Sequence, residues 1–163
     1  MIALDPISVE DLIAFAKASV PERLAHIALE DALPPPSVAT RSLNLVYQGQ
    51  QPPWCNSFYI REPDDTIIGG CRFKGEPHNG QVEIGYWVSV ARRNRGIATR
   101  AIEALVLIAF NSGQVREVLA KVRELNAPST RVVQKLGFAS VGSELNHNGE
   151  VLVHWTLQIR RLS

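Results

Sequence analysis

The spacing of apolar positions changes period along the chain, and each change marks a different kind of element. Leu12, Phe15 and Ala16 recur at the three- and four-residue spacing of a helix face. Ser8 with Asp11 has the form of a capping box, with Asp where Glu or Gln is usual. Pro21 interrupts this run, and ERLAHIALEDAL resumes it with Leu24, Ile27, Ala28 and Leu33, so a broken helical stretch is expected over 8–33. The next segment, PPPSVATR, opens with consecutive prolines, which lack the donor and the room that a helix interior needs. Residues 34–41 are therefore read as an extended linker or loop. No strand is legible ahead of residue 8.

Further along the period shortens to two. SFYIRE, TIIGGCRFKG and QVEIGYWVSV are rich in β-branched and aromatic residues and are separated by EPDD and EPHNG. Such short connections permit hairpins but no parallel crossovers, so consecutive antiparallel strands are expected. Ala98, Ala101, Ile102, Leu105, Ile108 and Ala109 then mark a helix stopped by Asn111-Ser112-Gly113. VREVLAKVREL follows as a strand. APSTRVVQKLGF reads as a short helix with Asn126 as N-cap, Pro128 in the first turn and Gly137 as the C-terminal stop. FASVGSEL and EVLVHWTLQIR, joined by NHNG, form a closing hairpin. The order predicts one mixed α/β domain over 1–163, with a helical segment and proline loop at 1–41 and a sheet core at 54–160.

Composition narrows the function. A hydrophobic fraction of 45% with 20% charged residues excludes disorder and fibrous classes. The 17 basic and 16 acidic residues leave a net charge of +1, which argues against a nucleic-acid binder. Cys55 and Cys71 lie in no metal-spaced cluster, and His26, His78, His147 and His154 are scattered, so no metal is expected. The N-terminus lacks the basic and apolar regions of a signal peptide. The longest apolar run, ALVLIAF at 104–110, is too short to cross a bilayer. A cytoplasmic protein without membrane contact is the expectation.

Positive charge is dense at one place only, ARRNRGIATR at 91–100. A strand, this turn and a helix beginning near Ile97 leave unpaired backbone N–H groups at the positive end of a helix dipole, which suits an anion. Gly96 removes a side chain where a phosphate comes closest, and Ala98 keeps the next position small. Arg93, Arg95 and Arg100 add planar donors matched to phosphate, whereas Arg92 reads as solvated. Neither a Walker motif nor GxGxxG is present. The alternative is a helix start with solvated arginines.

RNRGIA resembles the Arg-x-x-Gly-x-Ala acyl-CoA signature of the GNAT superfamily of N-acyltransferases, with Arg93, Gly96 and Ala98 at its positions. EIGYWVS before it and NAPSTRVVQKLGF after it are similar to that superfamily's flanking motifs. In detail the chain resembles the branch of ribosomal-protein N-terminal acetyltransferases, over residues 54–160. The resemblance implies a mostly antiparallel twisted sheet flanked by helices, whose central strands splay to admit acetyl-CoA as cosubstrate. It implies that the backbone of Arg93, Asn94, Arg95, Gly96, Ile97 and Ala98 wraps the pyrophosphate, with the Thr99 hydroxyl as a further donor. Backbone groups of Val88 and Val90, and the side chains of Asn126 and Ser129, fall where the family contacts the pantetheine arm. Asn126 also reads as a plain N-cap, and Ser129 as a helix-start residue.

The implied activity is transfer of an acetyl group to a primary amine, either a protein N-terminus or a small molecule. Glu83 is the implied base, acting through water, and its alternative is a cross-strand ion pair with Arg72 or Lys74. Relatives carry a proton-donating tyrosine four residues before the Gly-Phe pair, where this chain has Val133. Ser129 or Tyr86 is then the candidate acid, or the thiolate leaves unaided. The competing reading is a non-catalytic acyl-CoA-binding module. Segments 8–33, 34–41 and 142–150 are expected around the acceptor. Glu30 and Asp31 hint at an acidic pocket for a polyamine or aminoglycoside. A monomer or homodimer, with the proline loop as a dimer contact, is expected.

Overall fold

A computed structural model describes residues 1–160. The expected domain over 1–163 thus includes residues 161–163, which lie outside the described range. In chain order the elements are β1 (Ala3–Pro6), α1 (Val9–Ala16), α2 (Pro36–Tyr47), β2 (Ser57–Arg61), β3 (Ile67–Phe73), β4 (Gln81–Val88), α3 (Ile97–Asn111), β5 (Glu117–Arg123), α4 (Ala127–Lys135), β6 (Ala139–Leu145) and β7 (Val151–Gln158). Single 3-10 turns occupy Glu22–Leu24 and Val90–Arg92.

The strands form one seven-stranded sheet in the order β1-β2-β3-β4-β5-β7-β6. Every neighbouring pair is antiparallel except β4 with β5, which run parallel because α3 carries the chain back between them. This is the mixed, mostly antiparallel sheet that the sequence led us to expect. Phe58, Ile60, Cys71, Phe73, Val82 and Ile84 pack with Ile97, Ala101, Ile102, Leu105 and Ala109 of α3 into the larger core. A second cluster places Tyr59 and Ile67 against Leu12, Phe15, Leu24, Ala39 and Leu43, from the segments containing α1 and α2. Alternation along β2 supplies both clusters from one strand.

The parallel pairing is short. β4 and β5 are bonded only from Gln81↔Glu117 to Ile84↔Ala120, although β4 continues to Val88 and β5 to Arg123. Past Ile84 the two strands diverge, and the middle of the sheet opens.

Four expectations for the N-terminal third are corrected. Residues 34–41 are no linker: Pro35 is an extended N-cap and Pro36 is the first residue of the 12-residue α2. A proline costs nothing there, because the first-turn N–H has no intrahelical partner and φ is already helical. Ala39, Ser42 and Leu43 bury one face, and Ser42 Oγ meets Ser57 Oγ of β2 at 2.6 Å. Residues 25–33 are not helical beyond their turns. Their backbone is taken by the start of β3, since Ile67 N–H donates to Ile27 O at 2.7 Å and Leu29 N–H to Ile67 O at 3.0 Å. The capping box is only half made. Ser8 Oγ accepts from Asp11 N–H, while the Asp11 carboxylate accepts from Tyr59 Oη at 2.8 Å and pairs with Arg23. Finally, a strand does precede residue 8, since β1 pairs with β2 from Ala3↔Arg61 to Pro6↔Phe58.

Candidate functional site

Where β4 ends, the chain makes a 3-10 turn and then two left-handed residues, Asn94 (φ 64°) and Gly96 (φ 71°). Gly96 is the N-cap of α3, and no side chain caps this helix. The N–H groups of Ile97, Ala98 and Thr99 therefore have no intrahelical acceptor and face the groove together with the dipole of a 15-residue helix. Arg100 N–H makes the first turn's bond, to Gly96 O at 3.1 Å.

The groove beside this turn has a volume of about 260 Å³ and is walled by six cationic side chains, Arg92, Arg93, Arg95, Arg123, Arg131 and Lys135. It gathers most of the expected residues, Val88, Asn94, Gly96, Ile97, Ala98, Thr99, Asn126 and Ser129, together with Tyr86. Sequence reading missed Arg123, Arg131 and Lys135. Arg131 and Lys135 stand four residues apart on α4 while Val132 and Val133 pack inward, and that spacing is the signal that could have found them. Arg131 Nη2 donates to Asn94 Oδ1 at 3.0 Å and ties α4 to the turn. Asn126 is the N-cap of α4, its Oδ1 accepting from Ser129 N–H at 3.2 Å. This bond does not prevent its side chain from lining the groove.

Two positions depart from expectation. Val90 lies outside the groove and is 65% exposed, and its N–H donates to Asp31 Oδ2 at 2.9 Å. Its N–H is therefore already engaged within the protein. Hydrogen bonds from the Ser89 side chain and the Val90 N–H hold the Asp31 carboxyl below its ordinary range. Arg92 is not a solvated bystander, because its Nε donates to Glu62 Oε1 at 2.8 Å and both side chains are about three-quarters covered. Arg92→Ala and Glu62→Ala should each lower stability by about 0.2–1 kcal/mol. In a urea double-mutant cycle the two losses should be less than additive; full additivity would mean the pair contributes nothing.

A second cavity, of about 270 Å³, shares Tyr86, Trp87, Arg123, Asn126 and Ser129 with the groove. Its other walls come from Pro35, Val38 and Arg41 of the α2 segment, from Arg72, Gly85 and Lys121 of the sheet, and from Lys74 just past β3. The two spaces thus meet beside Tyr86 and Ser129. The expected acidic pocket is not found here: Asp31 is bound to the β4 end and Glu30 is exposed. The cavity is basic.

The catalytic candidates sit as follows. Tyr86 Oη donates to Ser129 O at 2.9 Å, and burial pushes its phenol well above the usual tyrosine range. The Ser129 side chain stands at the junction of the two spaces. Glu83 pairs with Lys74 at 3.1 Å and with Lys121 at 3.9 Å, so the cross-strand pair with Lys74 is present and the one with Arg72 is not. Val133 is fully buried in the core. Among the described residues no helix is long and apolar enough to cross a membrane.

The features of the groove fit coenzyme A: open amides at a helix start, surrounding cations and diverging strands. Comparisons with known proteins agree. Residues 2–139 match the acetyltransferase (GNAT) domain family. An uncharacterized N-acetyltransferase of Bacillus subtilis, YjdG, is 30% identical over 97 residues, 59% of this chain and 55% of its own. The ribosomal-protein-serine acetyltransferase of Escherichia coli is 35% identical over 80 residues, 48% of this chain and 45% of its own. The chain thus spans about half the length of the curated relatives it matches. The Mycobacterium smegmatis RimJ structure with CoA-disulfide superposes with a TM-score of 0.67 at 24% identity, over 96% of this chain and 81% of that one. With a family match across most of its residues and the fold to go with it, the chain belongs to the GNAT acetyltransferase domain family.

Proposed function

We propose that this chain is an acetyl-CoA-dependent N-acetyltransferase acting on a primary amine in the cytoplasm. The observation that carries the reading is the opening of β4 from β5 past Ile84, beside an uncapped helix start in a groove walled by six cations. Acetyl-CoA would supply an activated acyl thioester. The amides of residues 93–99 would hold its pyrophosphate, and Val88, Asn126 and Ser129 would line the path of the arm.

The attacking amine must be neutral. An α-amino group titrates near ~8 and a lysine near ~10.4. The cavity where the amine would sit is lined by Arg41, Arg72, Lys74 and Lys121, and like charge disfavours an ammonium ion. The field of the site therefore does part of the work assigned to a base. Glu83 is held between two lysines and serves to position them. Glu83→Gln should keep acetyl-CoA affinity and hold kcat within about tenfold, whereas a general base is worth roughly 10²–10⁴. A loss in that larger range would make Glu83 the base.

Binding is tested by thermal stabilisation. Acetyl-CoA at a hundred times its Kd should add about 2.7 kcal/mol. No stabilisation at millimolar acetyl-CoA sinks the proposal. Turnover is tested by coenzyme A thiol release with peptides, amino acids and polyamines. The burial of Val133 and the ion pairs of Glu83 favour a second reading, an acyl-CoA-binding module without turnover. Stabilisation without thiol release from any amine would support that reading.

A further inference from the structure

The cavity beside α2 contains a positive charge that the fold leaves unanswered. Arg72, in β3, lines the cavity at 5% exposure, and its Nε is buried without a hydrogen-bond partner. Nearby cations are matched: Lys74 and Lys121 by Glu83, Lys121 also by Glu144 at 3.1 Å, and Arg123 by Glu150 at 3.3 Å. Among the described residues no carboxylate lies within ion-pair distance of Arg72 or of Arg41. Burial, with Arg41 close by, pushes the Arg72 guanidinium down to about 10, and the field of Glu83, which is beyond ion-pair distance, offsets this only in part. A buried, unpaired charge weakens a fold, and an apolar side chain of similar volume is commonly better tolerated. Stability therefore does not account for Arg72.

The space beside it is kept clear. Gly85 is the cross-strand partner of Arg72, and a Cβ there would come within 3.0 Å of Lys74 Cε and 3.7 Å of Arg72 Cγ. About 270 Å³ suits a ligand of amino-acid size rather than a folded partner.

We infer that Arg72 and Arg41 form an anion subsite, and that the acceptor is a small amine bearing a carboxylate or an equivalent oxyanion, anchored there with its amine toward Tyr86 and Ser129. The inference rests on the acetyltransferase reading for the amine, while the anion site can be tested without it. A guanidinium fork can hold a carboxylate by two parallel bonds. The same cations favour the neutral amine, so one set of charges anchors the acceptor at one end and readies it at the other. An acceptor without an anion gains only the second effect.

The first arm of the test needs no turnover. Inorganic phosphate titrated into protein saturated with coenzyme A should raise the melting temperature. Arg72→Met should abolish that rise and Arg41→Ala should reduce it, while Arg72→Met without phosphate should melt no lower than the parent. Arg41 is exposed, so its variant carries the test should Arg72→Met fail to fold. The second arm compares thiol release for free α-amino acids and for their α-carboxamides. A preference of at least tenfold in kcat/KM for the acids, lost in Arg72→Met, is expected. Equal phosphate stabilisation of parent and both variants, or equal use of acids and amides, overturns the inference and leaves acetyl transfer standing. Phosphate binding through Arg72 without thiol release from any amine keeps the anion subsite and removes acetyl transfer.

Discussion

Gly96→Val is expected to weaken acetyl-CoA binding by on the order of a hundredfold, against a few-fold at most for Arg92→Ala. Gly96 holds φ 71° at the cap of α3, a conformation that a β-branched residue adopts only under strain of about 1–3 kcal/mol. An added Cβ meets no steric conflict inside the protein, the nearest atom being Arg100 Nη1 at 3.9 Å. The cost is therefore conformational. Valine would relieve it by turning the peptide, and the N–H groups now aimed into the groove would turn with it. Hydrogen bonds to a charged group are worth about 1.5–3 kcal/mol each, and misdirecting one or two approaches the 2.7 kcal/mol of a hundredfold change. Arg92 is already engaged by Glu62, so its removal takes away one screened charge. Thermal-shift titration with acetyl-CoA measures both variants, with urea midpoints to separate loss of affinity from loss of fold. Gly96→Val binding within threefold of the parent would mean that the arginines, and not the amides, hold the ligand.

That turn was legible because everything that makes it is local. A strand end, a left-handed glycine and a helix start lie within ten residues, and the side chains need no distant partner to point outward. β2 to β4, α3 and the closing hairpin were legible for the same reason, since period and turn chemistry agree. α2 was hidden because three prolines look like a break, while the last of them occupies the one helical position that welcomes it. β1 was hidden by its brevity and by ending in Pro6. Residues 25–33 have a helical period, but Ile67 captures their backbone groups, a competition between segments some forty residues apart that no local pattern records. The cavity was illegible for a like reason: Arg41, Arg72 and Lys121 come from α2, β3 and β5 and meet only in the folded sheet. Asp31, the acidic hint at the acceptor site, is instead a clamp on the end of β4.

The adjoining glycines of β3 set the position of that strand end, and they should fail in different ways. Gly69 pairs with Val88 and Gly70 with Trp87 across β3 and β4. A Cβ on Gly69 would lie 2.3 Å from Trp87 O and 2.9 Å from Val88 Cα, both backbone atoms. No rotamer relieves this, so Gly69→Ala must part the strands where β4 leads into the cofactor turn, and should cost at least about 3 kcal/mol. A Cβ on Gly70 would lie 2.2 Å from Trp87 Cζ2, a side-chain atom. Here the indole must leave its seat and break the Trp87 Nε1–Ala32 O bond of 2.9 Å, at about 1–3 kcal/mol. Trp87→Ala removes the obstacle at Gly70 but not the one at Gly69. In urea unfolding, Gly70→Ala added to Trp87→Ala should cost less than Gly70→Ala alone, by a coupling of about 0.5–3 kcal/mol. Gly69→Ala should cost the same in either background. Because Val88 belongs to both the clash and the groove, Gly69→Ala protein that still folds should also bind acetyl-CoA more weakly than the parent, whereas Gly70→Ala added to Trp87→Ala should bind it no more weakly than Trp87→Ala alone, since Trp87 itself lines the groove. Equal rescue of the two glycine variants would show that the strands yield more readily than the ring, and that the end of β4 is not fixed by this contact.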